Sequence, residues 1–126
     1  MPSQSLLSFK EMCARFEVTP RTLRYYEYIE LLNPQRDGRS RLYGPREIAR
    51  MTLILRGRRF GFSLEDIRQW LLMYEQTGSR KQYEAWLSLA DRQLEVMDGQ
   101  IAELQAARAD LKSLRDLSED EIRNMR

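Results

Sequence analysis

From Ser8 onward apolar residues recur at helical spacing, and the breaks between the runs delimit the elements. In "SFKEMCARF", Phe9, Met12 and Cys13 fall on one face, and Ser8 and Glu11 stand at capping-box spacing. A first helix is therefore expected from Ser8, with Cys13 as a core residue. The chain turns at "FEV", and "TPRTLRYYE" begins a second helix. Threonine accepts from unpaired N–H groups at a helix start, and proline at the first helical position gives up a donor the helix cannot use. Val18, Leu23 and Tyr26 then point inward, while Arg21, Arg24, Tyr25 and Tyr28 recur every three or four residues on the outer face. Two short helices joined by a brief turn predict a helix-turn-helix, closed by Leu31 and Leu32.

In "LLNPQRDGRSRLYGP", Asp37-Gly38 is a two-residue hairpin signal between the arms "PQR" and "RSRLY". Arg36, Arg39 and Arg41 make this hairpin a basic wing. Pro45 opens a third helix, "PREIARMTLILRGRRF", whose buried side is expected at Ile48, Met51 and Leu55, with Gly61 as its stop. Arg56, Arg58 and Arg59 near its end suit the helix dipole. A fourth helix starts at "FSLED", capped by Ser63, with Ile67, Trp70, Leu71 and Tyr74 as its buried stripe. Glu65 and Asp66 belong to its first turn and have no neighbouring histidine or ligand set to support acid–base chemistry.

After "QTGSR" the period changes to seven. Leu87, Leu94 and Ile101 form one line; Ala90, Met97, Leu104 and Leu111 form another, three positions on. These are a and d positions of a coiled coil. Gly99 falls at an outward f position. Arg108 interrupts the a line, and the apolar stripe drifts to Ala107, Leu111 and Leu114. A seam that outruns its own domain calls for a partner, and an antiparallel second copy is the simplest one. The alternative is a long helix folded back on its own domain. The expected segments are a head over residues 6–76, a dimerisation helix over 80–117 and a short tail over 118–126 with its own cap at Ser118.

Charge divides along the same line. Residues 20–62 hold ten Lys/Arg against four Asp/Glu, and residues 77–126 hold eight against ten. A basic head with an acidic, leucine-spaced stalk points to a polyanion-binding module joined to a protein-binding one. No apolar run reaches the roughly 18 residues of a membrane span, and the N-terminal segment lacks the pattern of a signal peptide. One cysteine and no histidine leave few metal ligands and no internal disulfide, so neither metal nor cofactor is expected and a cytoplasmic setting fits. Arg21, Arg24 and Tyr25 suit the DNA major groove, where arginine reads guanine or grips phosphate. Arg39, Arg41 and Tyr43 would hold the backbone or reach the minor groove, and the division between base and phosphate contacts stays open. Two heads per dimer make the target an inverted repeat.

"TLRYYE", "RSRLY" and "RFGFSLEDI", in that order, resemble the MerR family of bacterial transcription regulators. The resemblance implies a mostly α chain: a winged helix-turn-helix head with a small β-hairpin, then a long helix forming an antiparallel coiled-coil homodimer. It also implies binding at promoters with an overlong spacer, where the dimer bends and untwists the duplex so that RNA polymerase engages both promoter elements. Carried over by position, the DNA-binding residues are Thr19, Arg21, Thr22, Arg24 and Tyr25 in the helix and Arg39, Arg41 and Tyr43 in the wing. Glu30 stands where the family usually has glycine, and Ser40 where an aromatic or asparagine is frequent. The cysteines of metal-sensing and iron–sulfur relatives are missing, and nine residues after Leu117 leave no drug-binding domain of the kind some relatives carry. The effector, if any, is open; a site where Trp70, Tyr74, Tyr83 and Trp86 converge competes with a core role for these aromatics. "LILRGRRFGFSLEDI" is similar to a subgroup regulating amino-acid and fatty-acid breakdown. Two other classes compete with a dimeric, non-enzymatic regulator. An excisionase-like DNA-bending protein would lack the heptads, and a coiled-coil adaptor would not need Arg21 and Arg24.

Overall fold

A computed structural model describes residues 6–75 and 78–125. The chain divides into two compact units between Tyr83 and Glu84. The first begins with β1 (Leu7–Ser8), α1 (Phe9–Phe16) and α2 (Pro20–Tyr28), followed by β2 (Gln35–Asp37) and β3 (Ser40–Tyr43). α3 (Pro45–Phe60) and α4 (Leu64–Glu75) complete its packed part, and α5 (Arg80–Asn124) starts at its end and makes up the second unit.

The helix starts follow the capping residues. Ser8 Oγ accepts from Glu11 N, and the Glu11 carboxylate accepts from Ser8 N, the full capping box. Those bonds hold the Glu11 carboxyl below its usual range. Thr19 caps α2 with Pro20 behind it, and Ser63 Oγ accepts from Asp66 N at the start of α4. Three helices end alike. Glu17 (φ 54), Glu30 (φ 63) and Gly61 (φ 88) are left-handed, and the residue after each donates back to a carbonyl five positions earlier, the Schellman closure. Glu30 therefore keeps the conformation that favours glycine.

Met12, Leu23, Tyr26, Leu31, Leu32, Met51, Ile54, Ile67, Trp70 and Leu71 form the core of this unit. The buried line of α3 is Glu47, Met51, Ile54 and Gly57, not Ile48, Met51 and Leu55. Glu47 is buried because it accepts from Asn33 N and pairs with Arg46, and Gly57 because α4 crosses there. A Cβ on Gly57 would stand 2.7 Å from Ile67 Cγ1, so the absent side chain sets the α3–α4 approach. On α4, Ile67, Trp70 and Leu71 are buried, but Tyr74 is 61% exposed and offers only an edge contact to Trp70. Trp70 also meets Phe60 and Phe62, a core cluster.

The sheet is antiparallel with order β1-β3-β2, and its two-residue β1 was not expected from the sequence. Asp37 pairs with Ser40, so the turn is Gly38-Arg39 rather than Asp37-Gly38. Of that pair only Gly38 has a positive φ, the II′ pattern with glycine first.

α5 runs unbroken for 45 residues, about 68 Å. Ser118 is not a cap: it lies inside the helix and its hydroxyl donates to the Leu114 carbonyl four residues back. None of the α5 residues is buried, and Leu87, Leu94, Ile101, Leu104 and Leu111 are each more than half exposed. Ala90 and Met97 are partly exposed. Toward its end Lys112–Asp116, Arg115–Glu119 and Glu119–Arg123 form i,i+4 ion pairs, and the Lys112 and Arg115 bonds hold the Asp116 carboxyl low.

Candidate nucleic-acid interface

α2 supplies the first half of the surface. Leu23 and Tyr26 anchor its inner side, which turns Arg21, Arg24, Tyr25 and Tyr28 into solvent. Thr19 and Thr22 build the start of this helix: Thr19 Oγ1 accepts from Thr22 N at 3.1 Å and donates to Thr22 Oγ1 at 2.9 Å. Both hydroxyls are thus engaged in presenting the first turn. Arg21, Thr22 and Tyr25 line a cleft of about 390 Å³ with Tyr26, Arg58 and Leu64. The sequence marks Arg58 only as a helix-end cation; the fold adds it to the α2 surface. Its guanidinium reaches the Phe62 carbonyl at 3.5 Å.

The hairpin supplies the second half. Arg36 and Arg39 are exposed, Arg39 within the turn. Tyr43 corrects the expectation of a wing contact. It is fully buried, and its hydroxyl donates to Glu27 Oε2, leaving no surface for DNA. Burial, reinforced by that carboxylate, pushes the phenol far above its usual range. Arg41 shares the inner face with Tyr43, two residues on. Its Nε lies 2.9 Å from Glu27 Oε1, off hydrogen-bonding alignment, and 28% of its side chain remains exposed.

Phe9 stands between the halves. The Arg24 guanidinium lies 5.2 Å from the centre of its ring and that of Arg41 5.1 Å. Cys13 is half-buried nearby, and burial raises its thiol pKa despite Arg24. The sequence pattern places Phe9 only on the apolar face of α1 and gives Glu27 no role. A carboxylate inside a basic motif looks like a solvated charge until the hairpin is placed beside it.

Behind this surface, Arg46 and Arg50 of α3 clasp Glu75 at the end of α4, and Arg50 Nε donates to the Leu31 carbonyl. Burial pushes the Glu75 carboxyl up, but the two arginines outweigh it and hold it low. Among the described residues no group of histidine, cysteine or carboxylate side chains is arranged to hold a metal ion, and no helix is long and apolar enough to cross a membrane. The chemistry on offer is cationic: arginines and a tyrosine hydroxyl on adjoining elements, suited to a polyanion.

The profile described as "MerR HTH family regulatory protein" matches residues 7–73, and that described as "MerR, DNA binding" matches residues 48–114. The HTH-type transcriptional regulator ZntR of Escherichia coli strain K12 is 32% identical over 108 residues, covering 84% of this chain and 76% of ZntR. The HTH-type transcriptional regulator HmrR of Rhizobium leguminosarum bv. viciae is 32% identical over 109 residues, covering 86% and 83%. Among solved structures, HiNmlR, a MerR family regulator lacking the sensor domain and bound to promoter DNA, superposes with a TM-score of 0.64. It is 26% identical, over 80% of this chain and 76% of that one.

Proposed function

Because this chain belongs to the MerR family of DNA-binding transcriptional regulators, we propose that it acts as a homodimer on an inverted repeat in a promoter. In this reading the head, residues 6–76, sets α2 into the major groove with Arg21, Arg24 and Tyr25 toward the DNA. Arg39 and Arg41 of the hairpin follow the flanking backbone, and Arg58 adds a further phosphate contact. The helix over 80–117 pairs antiparallel with its copy through Leu87, Ala90, Leu94, Met97, Ile101, Leu104 and Leu111. The pairing fixes the distance between two heads, so a site with a mismatched spacer must bend or untwist to meet both. RNA polymerase at the same promoter would then read the deformed duplex. The cytoplasm is the proposed setting.

The observation that supports this best is the exposed Arg21–Arg24–Tyr25 face on a helix whose other side is locked in the core, beside an arginine-bearing hairpin. The test begins by selecting binding sites from a random duplex pool and mapping protection on the recovered sequence. Two symmetric half-sites are expected. Arg24→Ala should then weaken the selected site by about 1–3 kcal/mol relative to scrambled DNA if the arginine reads a base edge. An equal loss on both duplexes with a flatter salt dependence assigns it to phosphate instead. Protection without symmetry would defeat the dimeric reading.

A further inference from the structure

The hairpin poses an electrostatic problem. Arg36 and Arg41 stand directly opposite each other in the β2–β3 ladder, and like charges in that position repel. Arg39 sits in the turn between them. β1 adds only two residues of pairing, so the sheet alone gives this arginine-rich ribbon little to fix its direction. Two contacts to other elements supply what the ladder lacks. Glu27 is one α-helical turn beyond Arg24 on α2, and its side chain is only 11% exposed, so it is turned away from solvent. It receives Arg41 on Oε1 and the Tyr43 hydroxyl on Oε2, two residues of the same face of β3. Phe9, at the start of α1, receives both the Arg24 and the Arg41 guanidinium on one ring.

We propose that Glu27 and Phe9 are positioning residues that lock the hairpin to α2, so that Arg24 and Arg41 meet DNA as one pre-spaced pair. The proposal rests on the reading of α2 and the hairpin as the DNA-contacting surface. A carboxylate within a DNA-binding head weakens attraction to phosphate at long range. Glu27 offsets that by holding Arg41 in place before the duplex arrives, and it relieves the repulsion across the hairpin. Pre-organisation of this kind favours the duplex whose backbone fits the fixed spacing and does nothing for one that does not.

The sign of the effect makes the test sharp. If Glu27 were a bystander charge, Glu27→Gln would strengthen binding to every duplex. As a positioning residue, the same substitution should weaken binding to the selected site by about tenfold while leaving scrambled duplex unchanged or bound more tightly. In an Arg41→Gln background the further loss on adding Glu27→Gln should shrink to less than about twofold, since the residue acts through Arg41. Phe9→Leu keeps the apolar volume but removes the ring, and should weaken the selected site by a few-fold in the same direction. It serves should Glu27→Gln fail to fold. Equal changes on both duplexes, or an undiminished Glu27→Gln effect without Arg41, would overturn the proposal. Arg24→Ala is the control. If it too leaves the selected site untouched, the DNA-contacting surface itself has been misassigned; if it weakens the site while Glu27→Gln does not, only the positioning role fails.

Discussion

Leu23 and Leu94 both sit on amphipathic helices, yet one is fully buried and the other 56% exposed. In the head, the apolar stripe of each helix meets another stripe of the same chain, and the polar exceptions, Glu47 and Tyr43, find partners within it. Along α5 the stripe is as regular, but nothing described covers it. An isolated helix owes most of its stability in proteins to a packed apolar face, and a 45-residue helix without one is an incomplete object. The head thus finds its packing partners within one copy of the chain, whereas the stalk, in the proposed dimer, would find them in a second. The same amino-acid pattern describes a core in one case and, in the proposed dimer, an interface in the other.

The largest expected effect comes from breaking that proposed interface. Replacing Leu94 and Ile101 together by glutamate puts charges of one sign on the a line. Sedimentation is expected to show two copies for the parent and one for this variant. Affinity for the selected site should fall by about 10²–10⁴-fold, because the second head loses its high effective concentration. The head should keep its melting transition. A variant that still sediments as a dimer would mean that the seam is not what pairs the chains.

A single substitution type sharpens the contrast, because it should have opposite signs in the two regions. Gly57→Ala adds a methyl 2.7 Å from Ile67 Cγ1, and Gly99→Ala adds one with nothing within 4 Å. Both gain about 1 kcal/mol of helix propensity. Overpacking against Ile67 costs about 1–3 kcal/mol, so Gly57→Ala should lower the stability of the head in urea. Gly99→Ala should raise the thermal stability of the stalk. Two gains would show that the α3–α4 crossing yields easily; two losses would place Gly99 against a partner.

Legibility followed chemistry that acts locally. Ser8, Thr19-Pro20, Ser63 and Gly61 were readable because a cap is a property of a few neighbouring residues. The arginine face of α2 was readable because its inner side is plainly apolar. What escaped depends on contacts between distant segments. Glu47 and Gly57 line the buried side of α3 although neither is hydrophobic, which displaced the expected face by one position. Tyr43 is buried by a carboxylate sixteen residues away, and the same carboxylate explains why Arg41 is turned partly inward. β1 is too short to announce itself, and the hairpin register follows from Gly38, whose φ the sequence leaves open.

The smallest effect tests whether the head has been optimised where the family habit was abandoned. Glu30 is left-handed at φ 63, and that conformation costs an L-residue about 1–2 kcal/mol relative to glycine. The Schellman bonds that impose it, Leu31 N to Tyr26 O at 2.9 Å and Glu30 N to Glu27 O at 3.0 Å, involve backbone alone and survive substitution. Glu30→Gly relieves the strain but restores unfolded-chain entropy worth about 0.5–1 kcal/mol, so a net gain of about 0.5–1 kcal/mol is expected in urea unfolding. The gain belongs to the head, so the dimer dissociation constant should not move. Should the head instead lose stability, the exposed carboxylate of Glu30 would be compensating its own strain, and the departure from glycine would be a functional choice at the end of α2 rather than a tolerated one.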